Sequence, residues 1–390
     1  MPQTLGMTES RPLREAGPSR GSGSSEAALP RAGSPPIEVP QGRSIPPGAL
    51  PESLLIVRLG ALGDVVNALA LANALVRARA DLRVGWACHE LALPLLEGHP
   101  AIARVHVWRR GGGISGFRQL VREIRAERYG AALDLQRLTK SALLARMSGA
   151  ARTLGFDRAR TKEGSWLWLG EHLAPADSAR PMAEQALDFA RHLGLSEPRV
   201  DLDLPRRVEE DAWAEQWERA QGRPPLLLNL GATKPANRWP AASWGALARA
   251  LVSRTDVAVA LTGGPGDRPF AEEVRAAGAE AALDLVGATS VPRLVALQRR
   301  ARLVVTCDTG PMHTAAAVGA PVLALFGAAD ERRTGPYGQG AHVLRTRPPC
   351  APCGRRTCPL PRHVCMEELS VEAVLAAVAR RLDPGGDARA

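Results

Sequence analysis

Two stretches constrain the fold more than any others: Leu55-Ile56-Val57-Arg58-Leu59-Gly60-Ala61-Leu62-Gly63-Asp64 and Val304-Val305-Thr306-Cys307-Asp308-Thr309-Gly310-Pro311-Met312-His313. In each, a short apolar run rich in branched side chains stops at a glycine-containing turn and passes directly into a helical pattern. Strand, tight turn and helix in that order present backbone N–H groups and a helix N-terminus to an anion. One such unit is common in α/β chains. Two of them, far apart with a Pro- and Arg-rich seam between, point to two doubly wound α/β domains facing each other across a cleft.

The hydrophobic periods between these landmarks agree. Strands are expected over 54–57, 82–87, 105–108 and 131–135, with helices over 64–79, 90–96 and 117–127. After a charged helix and a Pro-Pro break the pattern restarts. Strands are expected over 226–230, 257–261, 282–284, 303–306 and 322–326, with helices over 242–252, 270–277, 291–299 and 313–318. This alternation predicts parallel sheets with right-handed crossovers. The domains then divide as a disordered tail over 1–48, an N-terminal Rossmann-like domain over 49–204 and a linker region over 205–225. A C-terminal Rossmann-like domain over 226–345, a Cys-rich insert over 346–366 and a helix with a short tail over 367–390 complete the chain. The last helix, over 371–382, is expected to pack back on the first domain.

The chain has 390 residues and a formal net charge of +10, enough length for two full cores. Residues 1–50 hold five Arg and four Glu, so the positive excess belongs to the folded body. Phosphorylated ligands or an anionic lipid surface fit that excess. No aromatic-rich basic motif of a nucleic-acid module appears, so nucleic acid is not an expected partner. No run of about eighteen apolar residues is present, and the N-terminus lacks the apolar core of a signal peptide. A cytosolic location with peripheral membrane contact is the expectation.

The candidate site residues lie where the predicted strands end. Asp64 follows the Gly60/Gly63 turn and is either an N-cap or a general base for an acceptor hydroxyl. Asp308, Thr309, Gly310 and His313 lie at a strand's C-terminal end, where open α/β sheets bind ligands. They would hold a pyrophosphate, the alternative being a capped turn with a core histidine. Thr233, Lys234 and Arg238 follow the first strand of the second domain and could neutralise phosphate charge; the alternative is a solvated loop plugged by Trp239. The glycine turn 263–267 could touch a nucleotide. Arg137 and Lys140, after the fourth strand, could bind an acceptor phosphate or carboxylate. Asp201-Leu202-Asp203 sits in a Pro-flanked alternating stretch and is expected to be a short strand rather than a metal-binding pair.

Four of the six cysteines, Cys350, Cys353, Cys358 and Cys365, are closely spaced. In a cytosolic chain that spacing favours a structural metal knuckle over disulfides, with free thiols under a loop as the alternative. Cys88 and Cys307, beside strand ends, are expected to be core residues.

Taken together these residues resemble glycosyltransferase family 9, the bacterial lipopolysaccharide heptosyltransferases. The resemblance rests on Arg58-x-Gly60-x-x-Gly63-Asp64, the Gly-Ala to Arg-Trp-Pro stretch over 231–240, and the 308–313 motif running on to Phe326-Gly327; it covers about 54–380. The Cys-rich insert ending Cys365-Met366 looks like the subgroup that adds the second heptose. The resemblance implies a GT-B fold, an inverting reaction that needs no metal or other cofactor, and an ADP-heptose donor bound by the C-terminal domain. It also implies that Asp64 is the general base and that Thr233, Asp308, Thr309, Gly310 and His313 bind donor; Arg58, Gly60, Gly63, Arg137 and Lys140 are the expected acceptor-binding residues.

One departure matters: Asn237 stands where the family commonly has lysine before the His/Arg-Trp-Pro run. Lys234 or Arg238 would have to supply that charge. The implied acceptor is a phosphorylated lipid A–core at the inner face of the inner membrane, and the implied enzyme is a monomer. A dinucleotide oxidoreductase fits less well, because the first turn lacks the full G-x-G-x-x-G and the second-strand end, Trp86-Ala87-Cys88, offers no acidic residue for a ribose. A sugar-nucleotide epimerase of the same architecture would need no acceptor. A non-catalytic nucleic-acid or metal-binding protein would leave both strand–turn–helix units unexplained.

Overall fold

A computed structural model describes residues 50–254 and 256–382; the tail expected over 1–48 lies outside the described residues. The N-terminal half runs β1 (Ser53–Val57), α1 (Leu62–Ala78), β2 (Arg83–His89), α2 (Leu93–Leu96), β3 (Arg104–Trp108), α3 (Gly113–Ala126), β4 (Ala131–Asp134), α4 (Thr139–Met147), β5 (Arg152–Gly155), β6 (Glu171–His172) and α5 (Met182–His192). The C-terminal half runs α6 (Val208–Gln221), β7 (Pro225–Asn229), α7 (Ala241–Val252), β8 (Ala258–Thr262), α8 (Arg268–Val274), β9 (Leu283–Asp284), α9 (Val291–Arg300), β10 (Leu303–Cys307), α10 (Gly310–Ala317), β11 (Val322–Phe326), α11 (Glu331–Thr334), β12 (Val343–Arg345), α12 (Val364–Glu367) and α13 (Val371–Leu382).

Each half holds one six-stranded sheet, ordered β3-β2-β1-β4-β5-β6 and β12-β11-β10-β7-β8-β9. Every pairing is parallel. Counted from its own first strand, each sheet has the same order, the doubly wound Rossmann arrangement. The strand order reverses between β1 and β4 in one sheet and between β7 and β10 in the other. These are the two switch points where such sheets bind ligands. Helices cover both faces, so the central strands read as unbroken apolar runs: all five residues of β1, β7, β8, β10 and β11 are buried.

Helix α1 is buried on most sides, from Gly63 to Leu75, because it packs between the first sheet, α5 and α10. Helix α3 buries only Leu120, Val121 and Ile124 and turns its arginines outward. Two expectations are corrected here. Helix α13 packs on α7 and β10 of the second domain, not on the first, because its Val374, Ala377 and Val378 stripe completes the face that α7 leaves open. Asp201 and Asp203 form no strand: Asp201 pairs with Arg77 and accepts from Asn73, and the Asp203 carbonyl meets His99. The charged helix expected near the boundary is α6, which packs on α9 through Ala214 and its neighbouring tryptophans.

Candidate active site

At the first switch point β1 delivers Arg58 and the Gly60 turn, and α1 starts at Leu62. The cap position is Ala61, without a side-chain cap bond, so Asp64 is not the N-cap. Its carboxylate, in the first helical turn, forms an ion pair with Arg58, and the positive helix end favours its charge. Arg58 is buried; its guanidinium also donates to the Leu135 carbonyl at 2.5 Å, and its Nε has no partner among the described residues. Gln136 Oε1 accepts from the Leu59 N–H at 2.9 Å and the Gly60 N–H at 3.3 Å, which fixes the turn from the neighbouring strand end. Gln136 is in turn held by Asp134, whose carboxylate accepts its N–H. Burial pushes the Asp134 carboxyl up to about 6.

Arg137 is also buried. Its backbone is left-handed at φ 69°, its guanidinium lies 3.8 Å from the Phe156 ring centre and donates to Gln185, and its Nε lacks a partner among the described residues. Burial first, then the neighbouring Arg333, Arg58 and Arg160 cations, lower its pKa to about 9. Arg58, Asp64 and Arg137 line one small cavity with Asn67 and Phe156. Lys140 does not join them. It is exposed and lines a separate cavity of about 850 Å³ with His89, Trp108, Arg109, Phe117 and the Gly60 turn.

At the second switch point the 230–238 loop follows β7 and the 308–310 turn follows β10. Asn237 is buried, and its Nδ2 donates to Asp308 Oδ2 at 2.9 Å. Burial raises the Asp308 carboxyl to about 6; Lys234, a hydrogen bond from Thr334 and the Arg333 cation oppose the rise, and the Asp64 charge adds to it. The two aspartates therefore feel each other across the gap between the domains. Arg238 turns the other way, 3.5 Å from Asp267 and with its guanidinium 4.6 Å from the Phe270 ring centre. Of the two cations expected to substitute for a lysine at 237, Lys234 is the one in the field of Asp308. Thr233 is exposed at the loop's tip.

The glycines are explained by contact between the domains. A Cβ on Gly310 would lie 2.9 Å from Leu62 Cβ and 3.5 Å from the Gly63 nitrogen, and a Cβ on Gly63 would run into the His313 ring. The N-termini of α1 and α10 thus meet, with Thr309 at the α10 cap position. His313 is buried, and its Nδ1 lies 3.3 Å from Asn67 Nδ2. An amide donor there leaves the ring proton on Nε2. Burial lowers the pKa of His313 to about 4, so it is a neutral bridge between domains near pH 7 rather than a cation for phosphate. Asn67, Gln136, Arg333 and Thr334 were not singled out in the sequence, and Asn237 was marked only as the place of a missing lysine. Asn67 lies one helical turn beyond Gly63, a spacing that could have marked it.

The four clustered cysteines, with His363, surround a cavity of about 280 Å³. All six cysteines are free, and among the described residues no group of three or more His, Cys, Asp or Glu is arranged to hold a metal ion. The structural metal expected at this cluster is therefore unsupported: Cys365 is buried while Cys350 and Cys353 are exposed. Cys88 and Cys307 are buried in the cores, which pushes both thiols up to about 12.

Paired doubly wound sheets with polar loops at facing switch points define the GT-B class of fold. Residues 117–363 match glycosyltransferase family 9 (heptosyltransferase). A lipopolysaccharide heptosyltransferase 1 of Pseudomonas aeruginosa is 31% identical over 329 residues, covering 78% of this chain and 87% of that protein. A lipooligosaccharide heptosyltransferase 2 of Haemophilus influenzae is 38% identical over 115 residues, 28% of this chain and 33% of that protein. A family 9 glycosyltransferase structure from Veillonella parvula superposes with a TM-score of 0.74 at 22% identity, covering 87% of this chain and all of that one. The chain belongs to glycosyltransferase family 9 and is a glycosyltransferase enzyme.

Proposed function

We propose that this chain moves heptose from ADP-heptose to the phosphorylated inner core of lipopolysaccharide by a single in-line displacement. The observation that carries this reading is the placement of Asp64 and Asp308 across one interdomain gap, ringed by Arg58, Arg137, Lys234 and Arg333. Asp64 takes the proton of the acceptor hydroxyl as its oxygen attacks the anomeric carbon. Arg58, itself anchored on the Leu135 carbonyl, holds that carboxylate in place. Lys234, Arg333 and the facing N-termini of α1 and α10 stabilise the departing nucleoside diphosphate with fixed cations and dipoles. Asp308, set by Asn237, accepts from a donor hydroxyl, and Thr233, Thr309 and Gly310 contact its phosphates. Arg238 acts one step removed, bracing the loop through Asp267. His313 serves the donor site by positioning α10.

The acceptor side is amphiphilic. The 850 Å³ cavity beside the Gly60 turn carries Arg109, Arg110 and Lys140 on one hand and Trp108, Phe117 and Ile114 on the other. That pairing suits a phosphorylated sugar carried by a lipid, with a monomeric enzyme resting on the inner face of the inner membrane. No helix among the described residues is long and apolar enough to cross one. The test is ADP release from ADP-heptose with and without a lipid A–core acceptor, one lacking heptose and one carrying only the first heptose. Acceptor-dependent release supports transfer, and conversion of the donor without acceptor supports an epimerase. Asp64→Asn should lower turnover by about 10²–10⁴ while ADP binding survives; unchanged turnover in a folded variant removes Asp64 as the base.

A further inference from the structure

The Cys-rich insert is tied to the donor-side loop by its backbone. The Ala236 N–H donates to the Arg356 carbonyl at 3.1 Å, the Gly354 N–H donates to the Ala328 carbonyl at 2.7 Å, and His363 Nε2 lies 2.9 Å from the Ala236 carbonyl. The next residue, Asn237, holds Asp308. The path of the chain from Gly354 to His363 therefore fixes the loop that carries Lys234 and Asn237.

Immediately before that path stands Cys350-Ala351-Pro352-Cys353, with both thiols exposed at the mouth of the 280 Å³ cavity. The other two cysteines are less available. Cys358 is half-buried with its Sγ toward the Arg362 carbonyl, and Cys365 is buried. Burial also pushes the Cys365 thiol up to about 11, leaving little of the reactive thiolate.

We propose that Cys350 and Cys353 form a thiol–disulfide exchange site that controls the insert's hold on the donor loop. The oxidant is a low-molecular-weight disulfide. One cysteine thiolate attacks it, forming a mixed disulfide and expelling one thiolate; the second cysteine attacks the mixed disulfide and expels the other. In balance, two protein thiols lose two electrons and two protons, and the oxidant becomes two thiols. The C-x-x-C spacing is that of exchange-active pairs, and disulfides in reducing compartments serve catalysis or sensing. Bridging restricts the Cα separation to about 4.4–6.8 Å. Gly354 directly follows Cys353, so any backbone adjustment the bridge demands falls first on the bonds that tie the insert to Ala328 and Ala236, and through Ala236 on the neighbouring Asn237–Asp308 bond.

This inference rests on the 233–238 loop belonging to the donor site, and the experiment separates the two claims. The full chain is equilibrated in buffers of reduced and oxidised glutathione, mapped by peptide mass spectrometry and titrated with ADP. The expected result is one intramolecular Cys350–Cys353 disulfide, ADP binding weakened about three- to ten-fold, as for the loss of one ordinary hydrogen bond, and recovery on reduction. The Cys350→Ser/Cys353→Ser double variant should keep the reduced chain's affinity in both buffers. A persistent mixed disulfide, or bridging to Cys358 or Cys365, overturns the site. A Cys350–Cys353 disulfide with unchanged ADP affinity overturns the coupling. One equivalent of zinc that shields all four thiols overturns exchange in favour of coordination. Failure of the reduced chain to bind ADP overturns the donor-site reading instead, while the peptide map still decides the exchange site.

Discussion

Replacing Gly310 by alanine tests whether the two domains work in the contact seen here. The added Cβ would lie 2.9 Å from Leu62 Cβ, against an optimal carbon–carbon separation of about 3.5–4.0 Å. Leu62 Cβ is fixed to the backbone of α1, so no rotamer change relieves the overlap. Overpacking of this kind costs about 1–3 kcal/mol. Because the atoms belong to different domains, the overlap is also relieved by parting the domains by about 1 Å, the shortfall from ordinary contact. Each domain then stays folded while the closed arrangement loses that energy. The expected result is a melting temperature close to wild type and a kcat/KM lowered about 5- to 150-fold, since each 1.4 kcal/mol is a factor of ten. Scanning calorimetry and initial rates measure the two effects. A fall in melting temperature with normal kcat/KM would mean that the contact is ordinary packing, and the argument for a working interdomain contact would fail. Gly116→Ala is the control: among the described residues nothing lies within 4 Å of its Cβ position in α3, and alanine there should stabilise by about 0.5–1 kcal/mol.

Further outcomes follow from the charges. Burial holds His106 and His313 neutral down to about 4, whereas in the unfolded chain they protonate near 6.5. Between those values the unfolded chain binds more protons, so acidification removes stability, about 3 kcal/mol per histidine by pH 4. Asp134 runs the other way: raised to about 6, it takes up its proton earlier when folded and offsets part of that loss. Urea unfolding of Asp134→Asn from pH 7 to 4 should therefore show a steeper decline than wild type; parallel profiles would contradict the assignment. Asn237→Lys places an ammonium beside Asp308 and should tighten ADP binding several-fold in calorimetric titration. Weaker binding would show that the Asn237–Asp308 hydrogen bond, not charge, is what the loop requires.

Both switch-point turns, the parallel sheets and most central elements could be read from the chain because their signals are local. A buried strand such as β7 or β10 is an unbroken apolar run, and a Gly-containing turn before a helical period marks its end. The elements from Thr139 to His192 had no such signal: β5 and β6 span four and two residues, and α5 declares itself only by packing on α1. The candidate site divides the same way. Sequence position put Asp64 and Asp308 at strand ends, but the side-chain directions came from tertiary contacts. Arg238 is drawn to Asp267 and Phe270, leaving Lys234 in the field of Asp308. His313 is turned to Asn67 of the other domain and held neutral by burial. The α13 stripe found its partner on the nearer domain. A local pattern fixes which backbone a segment adopts, because hydrogen bonding and side-chain alternation act over a few residues. Which charges are buried, paired or set facing one another depends on surfaces brought together from residues far apart in the chain, and that was decided only when the two sheets closed on each other.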